Sequence, residues 1–325
     1  PWLMAREAAL SVVTIGFESA ADCRMVIGEL ARQTRASELE AILVAPDREG
    51  ISEDHIESFG AWQWVTVPEI RICGVAMAAG FRLANAPYVT YAEEHTYLNE
   101  DWAEQVLAAH EKGYSVVGFV MENANPETLT SWGHLYGQFG PVVAPVESGE
   151  SDFLAGHHVS YNRRLLLEYG DSLEEMLEDE SALFLDLRSK GVRMYVAGEA
   201  ISSHVNISSL PAFMLMDYLG QRSFAGARAK AGNWSRLKRL AYASAFPLIP
   251  LVRLRRILGH IRRSGRQKEL LPRILGPIGL ALAAGAWGEM LGYLIGPGDA
   301  AERKAPAELQ RENFLSKQDH WSKAG

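Results

Sequence analysis

Residues 74–95 read GVAMAAGFRLANAPYVTYAEEH and hold three successive patterns. Gly74 to Ala84 is rich in small residues at helical spacing, the composition of a helix that packs closely on a sheet. Tyr88 to Ala92 is β-branched and aromatic, a short strand. Glu93-Glu94-His95 follows at once, so two carboxylates and an imidazole stand at the carboxyl end of that strand. Ligands and catalytic groups of open α/β sheets collect at such strand ends.

The same alternation extends on both sides. Strands are predicted at Leu10–Ile15, Leu39–Ala45, Trp62–Val67, Ser115–Met121 and Met194–Ala197, with helices at Ala20–Gln33, Asp101–Lys112 and Leu173–Lys190. Glycines at 113 and 191 close the last two helices. Short strands alternating with helices predict an α/β fold, a mostly parallel sheet flanked by helices.

Beyond about Ser208 the character changes and no strand pattern remains. Residues 221–273 contain fourteen Lys or Arg and one acid, whereas the whole chain of 325 residues carries a net charge of −8. Such asymmetry predicts two functional regions, the basic one facing a polyanion such as an anionic membrane surface. Leu240–Leu258 is interrupted by Pro247 and Pro250; Ile274–Ile295 is apolar apart from Glu289 and weakened as a helix by its glycines and Pro277. An interfacial helical hairpin and an ordinary buried helix pair fit this composition equally, and a membrane span fits it less well. The expected division is 1–207, an α/β domain; 208–298, helical, basic and apolar; and 299–325, a polar tail. No basic segment followed by a long apolar run opens the chain, which predicts a cytoplasmic location, and the basic, apolar region predicts a peripheral place at the inner membrane face.

Cys23 and Cys73 are far apart and match no disulfide, zinc or redox spacing. Phosphate-loop, dinucleotide-binding and Gly-x-Ser-x-Gly patterns are absent from the sequence, which argues against NTPases, dinucleotide enzymes and serine hydrolases. The basic stretch lacks interleaved aromatics and any nucleic-acid reader motif, so no nucleic-acid partner is expected. Taken alone, Glu93-Glu94-His95 reads as a cation-binding set or as an acidic turn that caps a helix.

Three segments in order, SVVTIGFESA (11–20), the 74–95 stretch and LEDESALFLDLRSKGVRMYVAGEAISSH (177–204), resemble the landmarks of family 2 glycosyltransferases. More specifically, the chain is similar to a subset with a Glu-Asp-His-like motif in place of Asp-x-Asp, through ENANPETLTSWGHLYGQFGP (122–141), GHHVSYNRR (156–164) and AWGEMLGYLIGPGDA (286–300). The resemblance implies a GT-A fold and transfer from a nucleotide sugar, normally with inversion. It implies that Thr14, Gly16, Glu18 and Asp47 line the nucleotide pocket, with Arg71 near the diphosphate. It puts Glu93 and Glu94 at the diphosphate and metal position, with Glu94, His95 and His204 as the ligands of a divalent cation, Mg²⁺ or Mn²⁺. Glu180 takes the place of the general base and Asp179 that of the acid before it. His157 and His158 fall on the acceptor side, and Asn123 and Trp132 offer an amide and an aromatic plane for a sugar.

Chemistry requires such a base, because an acceptor hydroxyl is a poor nucleophile until a carboxylate in hydrogen-bond reach takes its proton. The expected activity is sugar transfer to a hydroxyl of a glycan or lipid-linked acceptor, as in polysaccharide biosynthesis. The alternative is a catalytically inactive nucleotide-sugar-binding or scaffold protein, in which loss of the Asp-x-Asp acids marks loss of chemistry.

Overall fold

The computed structural model describes residues 8–51 and 56–319. These form two compact units, one of residues up to 122 together with 144–204, the other of 123–143 together with 205–319.

The first unit is built on one mixed sheet. Its strands are β1 (Leu10–Ile15), β2 (Leu39–Ala45), β3 (Ala61–Thr66), β4 (Tyr88–Tyr91), β5 (Thr96–Leu98), β6 (Val116–Asn123), β7 (Gly149–Glu150), β8 (Val159–Asn162) and β9 (Met194–His204). They lie in the order β3-β2-β1-β4-β8-β6-β9-β5, with β7 beside β9. β3, β2, β1 and β4 run parallel, while β8, inserted between β4 and β6, is antiparallel to both. Every residue of β1 and β2 is buried, as expected for parallel strands covered on both faces. The expected α/β class is therefore present, its parallel half continued by an antiparallel one.

Local chemistry explains the layers. In the Cys73–Leu83 helix a Cβ on Gly80 would lie 2.6 Å from Val13 Cγ1, so glycine lets this helix sit directly on β1. Glu40, buried on β2, accepts from the Ser11 hydroxyl, from Gln63 Nε2 and from Asn85 N (2.7 Å) and Nδ2 (2.8 Å). Burial would raise this carboxyl, but those donors hold it below its usual range.

Two of the elements that the sequence predicts take a different course. The helix expected over 173–190 is broken into Leu173–Glu178 and Glu180–Ser189 by Asp179, at φ −122° and ψ 74°. In an unbroken helix, residues 178 and 180 would point to opposite sides. Across the break, Glu178 accepts from Gly74 N at 3.0 Å, at the start of the Cys73–Leu83 helix, while Glu180 turns to β8. β9 also runs seven residues past Ala197, because its polar half pairs with β5 through Ser202, Ser203 and His204. Serines in that half mask the strand pattern.

The second unit is helical. Leu210–Ala231 and Leu275–Ile295 pack side by side, joined by Leu129–Phe139, Arg236–Ser244, Ile249–Arg263 and Ala300–Leu309. Three of the glycines that weakened the 274–295 reading, Gly285, Gly288 and Gly292, prove to lie on its packing surface. A Cβ on Gly285 would meet Asp217 Oδ2 at 2.1 Å, and one on Gly288 would meet Tyr218 O at 2.1 Å. The helix runs without interruption, because Pro277 lies in its first turn, where no intrahelical N–H partner is lost. Asp217 is buried there and takes a bidentate pair from Arg253, at 2.7 and 2.8 Å.

Candidate active site

Strand register assembles the site within the first unit. β4 ends at Tyr91, and Ala92 N donates to Val13 O, which holds the chain beside β1 as it leaves the sheet. Thr96 N and Oγ1 both donate to Glu93 O, at 3.2 and 2.8 Å, and close a tight turn over Glu93-Glu94-His95. Thr96 of β5 is then paired with His204 of β9, which carries His204 to His95. On the other side Thr90 pairs with Ser160, so His157 and His158, just before β8, stand beside Glu93. His157 adopts a positive φ of 66°, a left-handed conformation that only local hydrogen bonding and packing sustain in a residue with a side chain.

Glu93 is the hub. Its Oε1 lies 3.1 Å from His157 Nδ1, and its Oε2 lies 3.1 Å from His158 Nε2, 3.2 Å from His204 Nε2 and 3.5 Å from His95 Nε2. The Nε2 atoms of His95 and His204 are themselves 3.0 Å apart. Glu94 Oε1 takes the far nitrogen of His95, Nδ1, at 2.9 Å. Glu93, Glu94, His95, His158 and His204 are all buried. Burial alone would raise the Glu93 carboxyl, but the facing imidazoles of His158 and His95, with the His157 hydrogen bond, hold it well below the usual range.

Glu180 stands on the other side of His157. Its Oε1 accepts from Tyr161 Oη at 2.7 Å and its Oε2 from His157 N, with His157 Nε2 at 3.8 Å. Burial pushes this carboxyl up, opposed by His157 and by the Tyr161 hydrogen bond. The backbone is shaped for it: a Cβ on Gly156 would come within 2.8 Å of Glu180 Oε2. Each carboxylate oxygen has two lone pairs, so a group held by two donors can still accept a further proton.

The donor set fits a divalent cation. Ligands bonded at about 2.0–2.1 Å in tetrahedral geometry stand about 3.3–3.4 Å from one another. The edges among His95 Nε2, His204 Nε2 and Glu93 Oε2 are 3.0, 3.2 and 3.5 Å. Glu94 on His95 Nδ1 stands where an outer carboxylate would orient a ligating imidazole and fix its tautomer. Two imidazoles and one carboxylate suit Mn²⁺ or Zn²⁺ better than Mg²⁺, which prefers oxygen.

The remaining sequence candidates fall elsewhere. Gly16, at the carboxyl end of β1, makes a turn in which a Cβ would lie 2.1 Å from Ser19 O. Asp47, after β2, reaches back to Ala20 N at 3.3 Å and accepts from Glu49 N at 3.0 Å. Glu18 is exposed, and Thr14 is buried, its hydroxyl on Cys23 Sγ at 3.4 Å. Arg71 lies on the surface, paired with Glu69 at 3.0 Å. Asp179 carries the helix break. Asn123 and Trp132 group with the second unit, where Asn123 Oδ1 accepts from Ser131 Oγ and Asn206 Nδ2, and Trp132 Nε1 donates to Pro126 O.

Sequence reasoning missed Tyr161 and the central place of Glu93. Tyr161 has a faint signal, as the aromatic of the short run Val159–Asn162, whose first three residues are all buried. Glu93 over Glu94 has none, because the turn after β4 decides which carboxylate faces β9.

No protein-family model matches the chain, and no curated protein matches it. Among solved structures, the fold is similar to the mannosyltransferase PcManGT from Pyrobaculum calidifontis in complex with GDP-Man and Mn²⁺. The TM-score is 0.53 at 16% identity, over 92% of this chain and 87% of that one. S. aureus TarS 1-349 in complex with UDP also aligns, with a TM-score of 0.45 and 13% identity over 87% and 90% of the two chains. At 16% identity the likeness to the mannosyltransferase is one of fold.

Proposed function

We propose that this chain is a glycosyltransferase that moves a sugar from a nucleotide-sugar donor to a hydroxyl of a glycan or lipid-linked acceptor, with inversion. The observation that carries the reading is Glu180, a buried carboxylate with raised proton affinity, held by Tyr161 and by the backbone of His157, which also binds Glu93.

In this mechanism the acceptor O–H gives its proton to Glu180 as its oxygen bonds to the anomeric carbon. The anomeric C–O bond to phosphate breaks on the opposite face, and the nucleoside diphosphate leaves with the electron pair. Burial supports this role, since a carboxylate with a raised pKa is a stronger base once ionised. Glu93, His95 and His204 would hold a divalent cation, and Glu94 would orient His95. That cation, when bound, supplies positive charge against the departing diphosphate. Thr14, Gly16, Glu18 and Asp47, at or near the carboxyl ends of neighbouring parallel strands, are assigned to the nucleotide, and His157 and His158 to the acceptor side.

The test is a panel of UDP-, GDP- and dTDP-sugars with Mg²⁺, Mn²⁺ or Zn²⁺, measuring binding by calorimetry and turnover by nucleotide release. Binding with turnover that Glu180→Gln lowers by roughly 10²–10⁴-fold supports the reading. Binding without turnover favours a nucleotide-sugar-binding scaffold, and no binding removes the whole class.

A further inference from the structure

The second unit exposes large apolar side chains in its basic region. Leu237 is 77% exposed, Leu248 62%, Leu251 65% and Trp287 51%, with Leu240 and Val252 also exposed. Leu237 and Leu240 lie one turn apart on the Arg236–Ser244 helix, and Leu251 and Val252 follow Leu248 by one turn. Phe246, in the turn between the Arg236–Ser244 and Ile249–Arg263 helices, lies edge-on to Trp287 with ring centroids 6.2 Å apart, which joins that turn to the outer side of the Leu275–Ile295 helix. Along that helix, exposed Leu280, Trp287 and Leu294 recur every seven residues, on one side.

Cationic groups are interleaved with this surface. Arg255 and Arg256 follow Leu251 and Val252 by one helical turn; both are exposed, and neither forms an ion pair among the described residues. Arg236 and Lys238 flank Leu237. We propose that this face docks, in the plane of the interface, on an anionic phospholipid bilayer. The leucines and Trp287 enter the acyl boundary and the arginines meet lipid phosphates, the division of labour of an interfacial amphipathic helix.

Charge chooses this occupant over a second copy of the chain. A two-fold dimer through this face would set two surfaces of the same strongly positive sign against each other, whereas an anionic leaflet is complementary. Depth follows from packing. Leu275–Ile295 is the one described helix long and apolar enough to cross a membrane, but 44% of its most apolar window is buried inside the protein. Its buried side touches the Asp217–Arg253 pair, so only its outer side is available to lipid. The inference is independent of the glycosyl-transfer reading.

Flotation of the 325-residue chain with phosphatidylcholine vesicles, and with vesicles that also contain phosphatidylglycerol, tests it. The expected result is partition onto the phosphatidylglycerol vesicles alone, weakened by salt. The double variant Arg255→Glu/Arg256→Glu should lower the partition coefficient at least roughly twentyfold. Leu248→Ser/Leu251→Ser should also lower it, with an unchanged melting temperature because both side chains are exposed. Failure to partition, partition that both variants leave intact, or a dimer in solution that the leucine variant dissociates would each overturn the proposal.

Discussion

The Nε2 atoms of His95 and His204, 109 positions apart in sequence, face each other at 3.0 Å with Glu93 Oε2 beside both. Three donors at cation-ligand spacing, with Glu94 behind one imidazole, give a direct expectation. Calorimetry should show one site for Mn²⁺ or Zn²⁺, with weaker binding of Mg²⁺. His204→Ala should abolish it, and Glu94→Gln should weaken it about 10–100-fold by freeing the His95 ring. Equal affinity in wild type and His204→Ala would place the ion elsewhere.

If Glu180 is the base, as proposed, Tyr161 is expected to tune it without touching the sugar. Its hydrogen bond lowers the Glu180 pKa against the rise that burial imposes. Tyr161→Phe removes the lowering contribution, so the acidic limb of kcat/KM should move to higher pH while nucleotide affinity stays constant. A uniform loss of activity with an unmoved limb would reduce Tyr161 to a packing role.

His110, buried in the first unit, stacks on Tyr88, with Nδ1 on Tyr114 O and Nε2 on Ser160 Oγ, both at 2.8 Å. Burial, opposed by the Tyr114 carbonyl, depresses its pKa to about 4 from 6.5. Between these values the unfolded chain binds the extra proton, so stability is complete above about pH 6.5 and falls as pH drops toward 4. From pH 7 to pH 5 the loss from this residue is about 2 kcal/mol. Urea melts at both values should show that slope, and His110→Phe should remove it.

Arg253 and Asp217 form a buried bidentate pair between helices of the second unit. Arg253→Ala strands a carboxylate against Gly285 and should cost about 3–5 kcal/mol. The double variant Arg253→Ala/Asp217→Ala should lose less than the sum of the two single changes. Thermal melts of the four proteins complete the cycle, and additive losses would mean that the pair does not interact.

Sequence periodicity alone set much of this protein's layout. β1 and β2 run over the residues that their mostly apolar, β-branched-rich composition indicates, despite Ser11, Thr14 and Glu40, and the helix over 73–83 is marked by its small residues. These are local properties, legible because burial on both faces or on one side imposes a composition on neighbouring residues. The acidic turn at 93–95 was legible for the same reason, as the end of a strand.

Tertiary structure decided the rest, because the deciding partners are remote. The break at Asp179 is not visible in a helical pattern that continues across it; it exists where Glu178 meets Gly74 and Glu180 meets Tyr161. Whether Glu93 or Glu94 faces His158 and His204 depends on the turn after β4, closed by Thr96 on Glu93 O, and on the pairing of Thr96 with His204 that brings β9 alongside it. Gly288 and Gly292 read as helix weakness until the backbone of Leu210–Ala231 lies 2.1 and 2.4 Å from where their side chains would begin. Sequence thus determined which residues are apolar, small or acidic along each element, while long-range packing determined which of them meet.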